Sequence, residues 1–188
     1  MVTHQELIFR QLLTLQDGTR VLLRPLATDD RQPLADLYSA ATFEERRYMH
    51  YEVRDPKVVA AWVEHLDHSK VMHLVAVVGD RIVGDATLIF GHGPERHRAQ
   101  VFIFLAKDFR RRGLGNRMLQ ALIEIARQRN LYLLEAQIIH DQTSFIKAFQ
   151  SLGFEAKCTL EDYFMPPDGE LWNVVLMILR LRSPNEEF

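Results

Sequence analysis

The residues from Val101 to Arg117 constrain the fold of this chain more than any other stretch. An apolar run from Val101 to Leu105, typical of a strand, leads through a short polar segment to Arg110-Arg-Arg-Gly-Leu-Gly115, where an amphipathic helical pattern starts. The two glycines let successive backbone N–H groups turn toward one point without a Cβ in the way. The positive end of the helix dipole adds to these donors. This strand, loop and helix therefore predict a binding place for a pyrophosphate.

Length and composition predict an ordinary soluble domain. The chain has 188 residues, of which 47% are apolar and 26% charged, and this favours one domain over residues 1–188 with a core from about 19 to 182. A net charge of −2 gives no electrostatic case for nucleic acid. The sequence has no apolar run of about 18 residues, so no membrane-spanning helix is predicted. The N-terminus lacks the basic start and apolar centre of a signal peptide, so a cytoplasmic location is expected.

The order of the sequence patterns predicts an α/β fold around a mixed sheet. The weak pattern of residues 5–15 fits either an extra turn or an extra strand. The residues from Glu44 to Met49 suggest a short helix. Strands are expected near residues 20–24, 71–78, 81–90, 98–105, 132–139, 155–160 and 171–181. Helices are expected near residues 28–40, 55–66, 114–129 and 143–152.

Three further expectations concern the one cysteine, one apolar strand and a pair of histidines. The one cysteine, Cys158, excludes an intrachain disulfide, fits a reducing compartment, and is expected in a buried or half-buried strand. The strand from Val101 to Leu105 is so continuously apolar that burial on both faces is expected. His65 and His68 share a helix face but have no third metal ligand nearby in sequence, so no metal site is predicted.

The pattern Arg110-x-x-Gly113-x-Gly115 after an apolar strand resembles the acyl-CoA loop of the GNAT superfamily of N-acetyltransferases. The following helix, the next strand about 17 residues on, and a later helix that ends in Leu152-Gly153-Phe154 are also similar to that superfamily. The resemblance covers roughly Thr19 to Arg182. It implies a single GNAT-like domain with a mostly antiparallel, twisted sheet of about six to seven strands and about four flanking helices.

A narrower resemblance is to the acetyltransferase domain of bacterial Pat-type protein-lysine acetyltransferases. The similar segments are Asp17-Gly-Thr-Arg-Val21, Arg24-Pro25, Glu45-Arg-Arg-Tyr48 and the hairpin from Val75 to Gly84. This likeness implies an amine acceptor such as a protein lysine, and direct attack on the acyl donor in a ternary complex. A monomer or a homodimer is left open, and no nucleic-acid or membrane partner is implied.

The superfamily resemblance implies acetyl-CoA as the acyl donor, without a metal. The backbone N–H groups of Arg111, Arg112, Gly113, Leu114 and Gly115 would hold the pyrophosphate, and Arg110, Arg111 and Arg112 would supply positive charge. Backbone near Phe104, Leu105 and Ala106 would pair with the pantetheine amides. Asn116 would add a side-chain contact. Gln142 and Phe149 stand at positions where the superfamily usually places an asparagine and a tyrosine beside the cofactor.

The resemblance leaves the acid–base chemistry open. The usual positions for a general base and a general acid fall on Gln100, Gln137 and Phe149, and none of these side chains titrates. Gln100 or Gln137 could hold a water that carries the proton. Glu135 lies on the same strand face as Gln137 and is the nearest alternative base, with an arginine-paired carboxylate as the other interpretation. A catalytically degenerate acyl-CoA-binding regulatory module is therefore the alternative to an enzyme.

Overall fold

The computed structural model describes residues 9–42, 45, 49, 55–166 and 168–182. In these residues eight strands and four α-helices alternate in the order predicted for an α/β fold. The strands are β1 (Gln11–Thr14), β2 (Arg20–Pro25), β3 (Val71–Val78), β4 (Arg81–Phe90), β5 (Arg98–Leu105), β6 (Leu133–Ile139), β7 (Glu155–Phe164) and β8 (Trp172–Arg180). The helices are α1 (Arg31–Ser39), α2 (Pro56–Glu64), α3 (Leu114–Gln128) and α4 (Thr143–Ser151).

Strand β1 accounts for the eighth strand, where six to seven were expected. It pairs antiparallel with β2, so the segment that the sequence left as a turn or a strand is a strand. The short helical piece expected at Glu44 to Met49 lies mostly outside the described residues, and so does Tyr48 of the segment that resembles the Pat-type domains. Among the described residues, no helix is both long enough and apolar enough to cross a membrane.

The chain forms two compact units, of which the first comprises Met1–Ile89 and Phe102–Leu122. In this unit β1, β2, β3 and β4 pair antiparallel in chain order. Helix α1 buries an apolar stripe of Leu34, Leu37 and Tyr38, whose spacing in the sequence is helical. Helix α2 begins where it was predicted. The Asp55 side chain caps its first turn by accepting a hydrogen bond of 2.9 Å from the backbone N–H of Lys57.

The second unit comprises Phe90–Val101 and Ile123–Phe188 and contains a mixed sheet. Residues 98–100 of β5 run parallel to residues 133–135 of β6. Strand β8 pairs antiparallel with β6 on one side and with β7 on the other, so the strand order is β5-β6-β8-β7. Helix α4 connects β6 to β7 and is followed by Gly153, whose φ of 92° confirms the predicted helix end.

Strand β5 is less buried than its apolar sequence predicted. Ala99 and Val101 are buried, but the four residues from Phe102 to Leu105 are only half-buried. Phe104 shows the reason, because its side chain lines an open pocket. The apolar run therefore marks a wall that ligands can reach, and the expectation of burial on both faces is wrong for this part of the strand.

The expectation for Cys158 is also wrong. Cys158 lies on a strand, β7, but it is exposed. Strand β7 pairs with β8 alone among the described residues, and eight of its ten residues are exposed. An apolar residue on such an edge strand has no core to enter, which the sequence pattern did not reveal.

Candidate functional site

The segment from residue 106 to residue 115, called here the glycine loop, joins β5 to α3 and has two left-handed backbone positions. After a single 3₁₀ turn, the backbone φ is 56° at Arg111 and 81° at Gly113. Left-handed residues in such a turn direct successive N–H groups into a concave anion-binding nest. Helix α3 begins at Leu114, so its dipole points its positive end at the same place. The predicted strand, loop and helix are confirmed.

The two glycines of the loop serve different purposes. A Cβ on Gly113 would meet no atom within 4 Å, so this glycine is required by its positive φ and not by crowding. A Cβ on Gly115 would lie 3.3 Å from Cδ1 of Leu105, so this glycine allows the start of α3 to approach β5 closely. The first sets the backbone conformation of the loop, and the second sets the packing of the helix.

Arg110 stabilises the glycine loop from within. Its Nε and Nη2 donate hydrogen bonds of 3.0 and 2.8 Å to the carbonyl oxygen of Leu105. Its Nη1 donates to the Glu45 carboxylate, and its guanidinium lies 5.6 Å from the centre of the Phe104 ring. The sequence predicted that Arg110 would contact phosphate, but these contacts already use most of its donors.

Glu45 connects Arg110 to Thr42, which follows α1 in the chain. The Glu45 carboxylate accepts a 2.8 Å hydrogen bond from the backbone N–H of Thr42, and the Thr42 hydroxyl accepts one of 3.3 Å from the N–H of Glu45. This reciprocal pair is a capping box. Burial raises the pKa of Glu45, but the hydrogen bonds from Thr42 and Arg110 outweigh it and leave the pKa below its ordinary value.

Arg112 is also held by the protein. It forms an ion pair with Asp17, donates 2.9 Å to the Thr19 hydroxyl and 3.1 Å to the Asp108 carbonyl oxygen, and lies 4.7 Å from the centre of the Phe109 ring. Asp17 and Thr19 belong to the turn between β1 and β2. Arg112 therefore ties the glycine loop to that turn, and its charge is already balanced.

Arg111 differs from its two neighbours, because its side chain is exposed and has no hydrogen bond or ion pair among the described residues. The same is true of the Lys107 and Arg117 side chains, and Asn116 is exposed on the first turn of α3. Arg111 also has the left-handed φ that glycine usually adopts, a conformation that costs free energy and concentrates at functional sites. Of the three consecutive arginines, Arg111 is the one whose charge is available to a ligand.

The residues predicted to pair with pantetheine end β5 beside the glycine loop. The N–H of Ala106 donates 2.9 Å to the carbonyl oxygen of Val83, and the carbonyl oxygen of Leu105 accepts from Arg110. These two groups therefore have partners inside the protein. Phe104 presents its ring to a pocket, and its predicted backbone contact to a ligand stays a prediction.

That pocket has a volume of about 690 Å³ and lies within the first unit. Its apolar wall includes Leu37, Ile82 and Phe104, and its rim includes the exposed carboxylates of Asp36 and Asp80. Pockets of about 300 to 1,000 Å³ are typical of small-molecule sites. Lys107 adds an exposed cation to the same lining, so the pocket combines an apolar wall with charges of both signs.

The catalytic candidates of the second unit form a small polar group. Glu135 accepts a 2.6 Å hydrogen bond from Nη1 of Arg98 and one of 3.0 Å from Nε2 of Gln137. Gln100 stands opposite Glu135 in the parallel register of β5 and β6. Glu135 is thus an arginine-paired carboxylate, the other interpretation that the sequence left open. The Glu135 carboxylate is therefore already engaged by Arg98 and Gln137.

The two remaining predicted residues lie at opposite ends of α4. Gln142 precedes the helix, is half-buried, and makes no side-chain hydrogen bond to cap it. Phe149 is 3% exposed and packs edge-to-face on Phe154, with ring centres 4.9 Å apart. Phe149 is a core residue here, and the contacts of both residues with a cofactor stay predictions.

Sequence reasoning missed a buried polar cluster in the first unit, formed by Tyr38, His73, Asp85 and Thr87. Each of the four is at most 7% exposed. Nδ1 of His73 lies 3.0 and 3.2 Å from the two Asp85 carboxylate oxygens and 3.2 Å from the Thr87 hydroxyl. The Tyr38 hydroxyl donates 2.8 Å to Asp85. A central aspartate in the otherwise apolar β4 was the available sequence signal, because a buried charge requires partners.

The cluster shifts the pKa values of its members. Burial raises the pKa of Tyr38 well above its ordinary value, and the charge of Asp85 adds to this. Burial lowers the pKa of His73, but the charge of Asp85 and its hydrogen bond outweigh burial, so the pKa of His73 is raised. Tyr38 therefore stays a neutral donor, while His73 keeps its proton to higher pH than an ordinary histidine does.

The described residues contain no group of three or more His, Cys, Asp or Glu side chains that could hold a metal ion. Nδ1 of His65 instead lies 3.1 Å from the carbonyl oxygen of Ala61, on its own helix.

Comparison with solved structures shows the fold. The GNAT domain of S. lividans PAT is 20% identical, with 96% of this chain and 99% of that chain covered and a TM-score of 0.76. A ribosomal-protein-alanine N-acetyltransferase from Brucella melitensis is 24% identical, with 84% and 98% covered and a TM-score of 0.75. The putative acetyltransferase yncA from Salmonella typhimurium, solved with its cofactor acetyl-CoA, is 19% identical, with 88% and 96% covered and a TM-score of 0.75.

The PAT domain does not stand apart from the other two in these values, so the narrower Pat-type likeness stays a prediction. The family itself is shown by sequence. The model of the acetyltransferase (GNAT) family matches residues 32–154, about two thirds of the chain and the whole glycine loop. This chain belongs to the GNAT family of acetyltransferases.

Proposed function

We propose that this protein is an acetyl-CoA-dependent N-acetyltransferase that acetylates an amine by direct attack in a ternary complex. The observation that carries the proposal is the glycine loop, in which two left-handed residues and the start of α3 form an anion nest beside an unpaired arginine. Family membership supports the same reaction class. The acetyl-CoA bound to the yncA structure supports the donor.

The residues of the loop fit a pyrophosphate. The N–H groups from Arg111 to Gly115 would hold its oxygens, and no atom lies within 4 Å of the place where Gly113 lacks a Cβ. Arg111 would supply the positive charge that pairs with the pyrophosphate, and Asn116 and Arg117 lie on the adjacent first turn of α3. Arg110 and Arg112 would shape the loop and would not bind directly, because their guanidinium groups are held by the protein. When bound, acetyl-CoA supplies an activated acetyl thioester.

The pocket beside the glycine loop supports an alkyl amine as the acceptor. Leu37 and Phe104 offer apolar surface to a carbon chain, and Asp36 and Asp80 offer carboxylates to its ammonium group. A lysine side chain has this chemistry. A protein lysine is therefore the first acceptor class to test, in line with the Pat-type likeness, in a cytoplasmic enzyme that acts as a monomer or a homodimer.

Calorimetric titration with acetyl-CoA tests the donor site. Gly113→Asp should weaken binding about 100-fold or more, because it forces a Cβ into a left-handed position and adds negative charge to the nest. Gly169→Asp is the matched control, since Gly169 has the same φ of 81° and equally open space in an exposed turn. Equal affinities for both variants and the wild type would overturn the proposed donor site.

One observation favours a second candidate function, an acyl-CoA-binding regulatory module without catalysis. Gln100 and Gln137 cannot titrate, and Glu135 is paired with Arg98. A thiol-release assay with acetyl-CoA and a panel of lysine peptides, polyamines and aromatic amines separates the two functions. Tight donor binding without thiol release from any acceptor would favour the module.

A further inference from the structure

We infer that His73, held by Asp85, is the general base that takes the proton from the acceptor amine. This inference rests on the proposed function and names a residue that neither the family resemblance nor the usual GNAT positions indicate. The positions that usually carry acid–base groups hold Gln100, Gln137 and Phe149 in this chain. A base from another part of the fold would complete the reaction.

The geometry around His73 fixes which ring nitrogen is basic. The Asp85 carboxylate can only accept hydrogen bonds, so it requires the proton of the neutral ring to lie on Nδ1, 3.0 Å away. The Thr87 hydroxyl lies at the same nitrogen, at 3.2 Å. The lone pair of the imidazole is therefore on Nε2. A carboxylate that orients a histidine in this way is a recurring device for general-base catalysis.

Nε2 of His73 is the ring nitrogen to which the cluster gives no partner. The ring stacks on Trp62, with centres 5.6 Å apart, and its side chain is 9% exposed. Nε2 has no hydrogen-bond partner among the described residues. It is also not one of the fully buried polar atoms without a partner, so it keeps some solvent-accessible surface. Part of the remaining exposure of this nearly buried side chain therefore lies at the nitrogen that carries the lone pair.

The groups that face His73 come from three elements, Asp85 and Thr87 from β4, Tyr38 from α1 and Trp62 from α2. Asp85 is the one that carries a charge among these four, and it would stabilise the imidazolium that forms when Nε2 takes a proton. Tyr38 donates to Asp85 and stacks on Phe104 at 5.3 Å, so the cluster shares Phe104 with the pocket proposed for the acceptor.

The step is balanced in protons and bonds. The neutral amine forms a C–N bond to the acetyl carbonyl carbon as the C–S bond breaks. The N–H proton that the amine loses passes to Nε2 of His73. The imidazolium then returns this proton to the departing sulfur, which leaves as a thiol, and His73 is neutral for the next cycle.

Nuclear magnetic resonance of the histidine side chains tests the base without turnover. We expect Nε2 of His73 to titrate reversibly with a pKa above the ordinary histidine value, and we expect the proton of the neutral ring to lie on Nδ1. Asp85→Asn should lower this pKa, because it removes the charge that raises it. A ring that does not titrate, or a neutral ring protonated on Nε2, would overturn the inference.

Kinetics test its role in the reaction. His73→Gln should lower kcat/KM for the amine about 100-fold or more while leaving the acetyl-CoA Kd unchanged, because general-base catalysis typically contributes a factor of about 10² to 10⁴. Asp85→Asn should move the acidic limb of the pH–rate profile to lower pH, which a merely structural cluster would not do. His65→Gln is the matched control, since His65 is exposed on α2 and lies outside the cluster. Urea unfolding shows which variants are folded.

The outcomes separate the base from the proposed function. Thiol release that is unchanged in His73→Gln overturns the base alone. Absence of thiol release by the wild type, with acetyl-CoA still bound, overturns the base together with the proposed transfer reaction. Loss of acetyl-CoA binding in the wild type would instead contradict the proposed donor site.

Discussion

The glycine loop and the buried polar cluster belong to the same compact unit but are built in opposite ways. The loop presents backbone N–H groups at an exposed surface, and its shape depends on the φ angles of Arg111 and Gly113. The cluster consists of side chains from separate elements, each at most 7% exposed and each dependent on its partners. Donor binding should therefore tolerate most side-chain changes, whereas changes in the cluster should affect stability and chemistry together.

The largest effect should follow from Asp85→Ala. Removing one partner of a buried, hydrogen-bonded charge pair costs about 3 to 5 kcal/mol, because the other charge stays buried without compensation. Asp85 is 1% exposed and accepts hydrogen bonds from both His73 and Tyr38. Urea unfolding should therefore show a loss of this size in the free energy of unfolding.

The control for this prediction is Asp80→Ala. Asp80 is exposed at the turn between β3 and β4, and such surface changes usually alter stability by less than about 0.5 kcal/mol. Similar losses for both variants would contradict the contrast between the buried cluster and the exposed surface.

A smaller effect should separate Arg111 from Arg112 within the loop. Arg111→Ala should weaken acetyl-CoA binding about tenfold, or about 1.4 kcal/mol, and leave the unfolding curve unchanged. Arg112→Ala should reverse this pattern. It removes the contacts to Asp17 and Thr19 and should cost about 1 kcal/mol of stability, with less effect on affinity. Calorimetry and urea unfolding of both variants measure the contrast, and equal effects of both on affinity would contradict it.

The stability of the cluster should depend on pH. The pKa of His73 is higher in the folded protein than its ordinary value of 6.5. The charged pair with Asp85 therefore stabilises the fold fully below that ordinary value, and this contribution is lost as the pH rises through the folded-state pKa. The difference in unfolding free energy between wild type and His73→Gln should shrink with rising pH over this range. A difference that stays constant or grows with rising pH would contradict a raised pKa of His73 in the folded protein.

The smallest effect should come from Gly115→Ala. The added Cβ would lie 3.3 Å from the end of a flexible leucine, Leu105, which can move by a few tenths of an ångström. Alanine is a better helix former than glycine by up to about 1 kcal/mol, so crowding and helix propensity should nearly cancel. Thermal unfolding should place this variant close to the wild type, in contrast to a left-handed position such as Gly113.

The features that the sequence predicted correctly are local ones. The strand, loop and helix around Gly113 follow from spacing along a short segment, and the stripe of α1 follows from helical periodicity. The family resemblance added the ligand expected there, because its motif lies within the same segment. Local patterns of this kind are readable without knowledge of the fold.

The features that could not be predicted depend on contacts between distant residues. Tyr38 and Asp85 are 47 residues apart, Arg110 and Glu45 are 65 apart, and Arg112 and Thr19 are 93 apart. No spacing in the sequence shows that two of the three arginines would be held by the protein. The edge position of β7, which exposes Cys158, likewise depends on which strands pair.

The position of Arg110 has a consequence for cooperativity. One guanidinium binds both the carbonyl oxygen that ends β5 and the carboxylate of the capping box formed by Thr42 and Glu45. If ligand binding at the loop favours this arrangement of Arg110, it must strengthen the cap by the same factor by which the cap strengthens ligand binding, since linkage is reciprocal. A substitution of Thr42, which has no part in the nest, would then change the affinity of the glycine loop for its ligand.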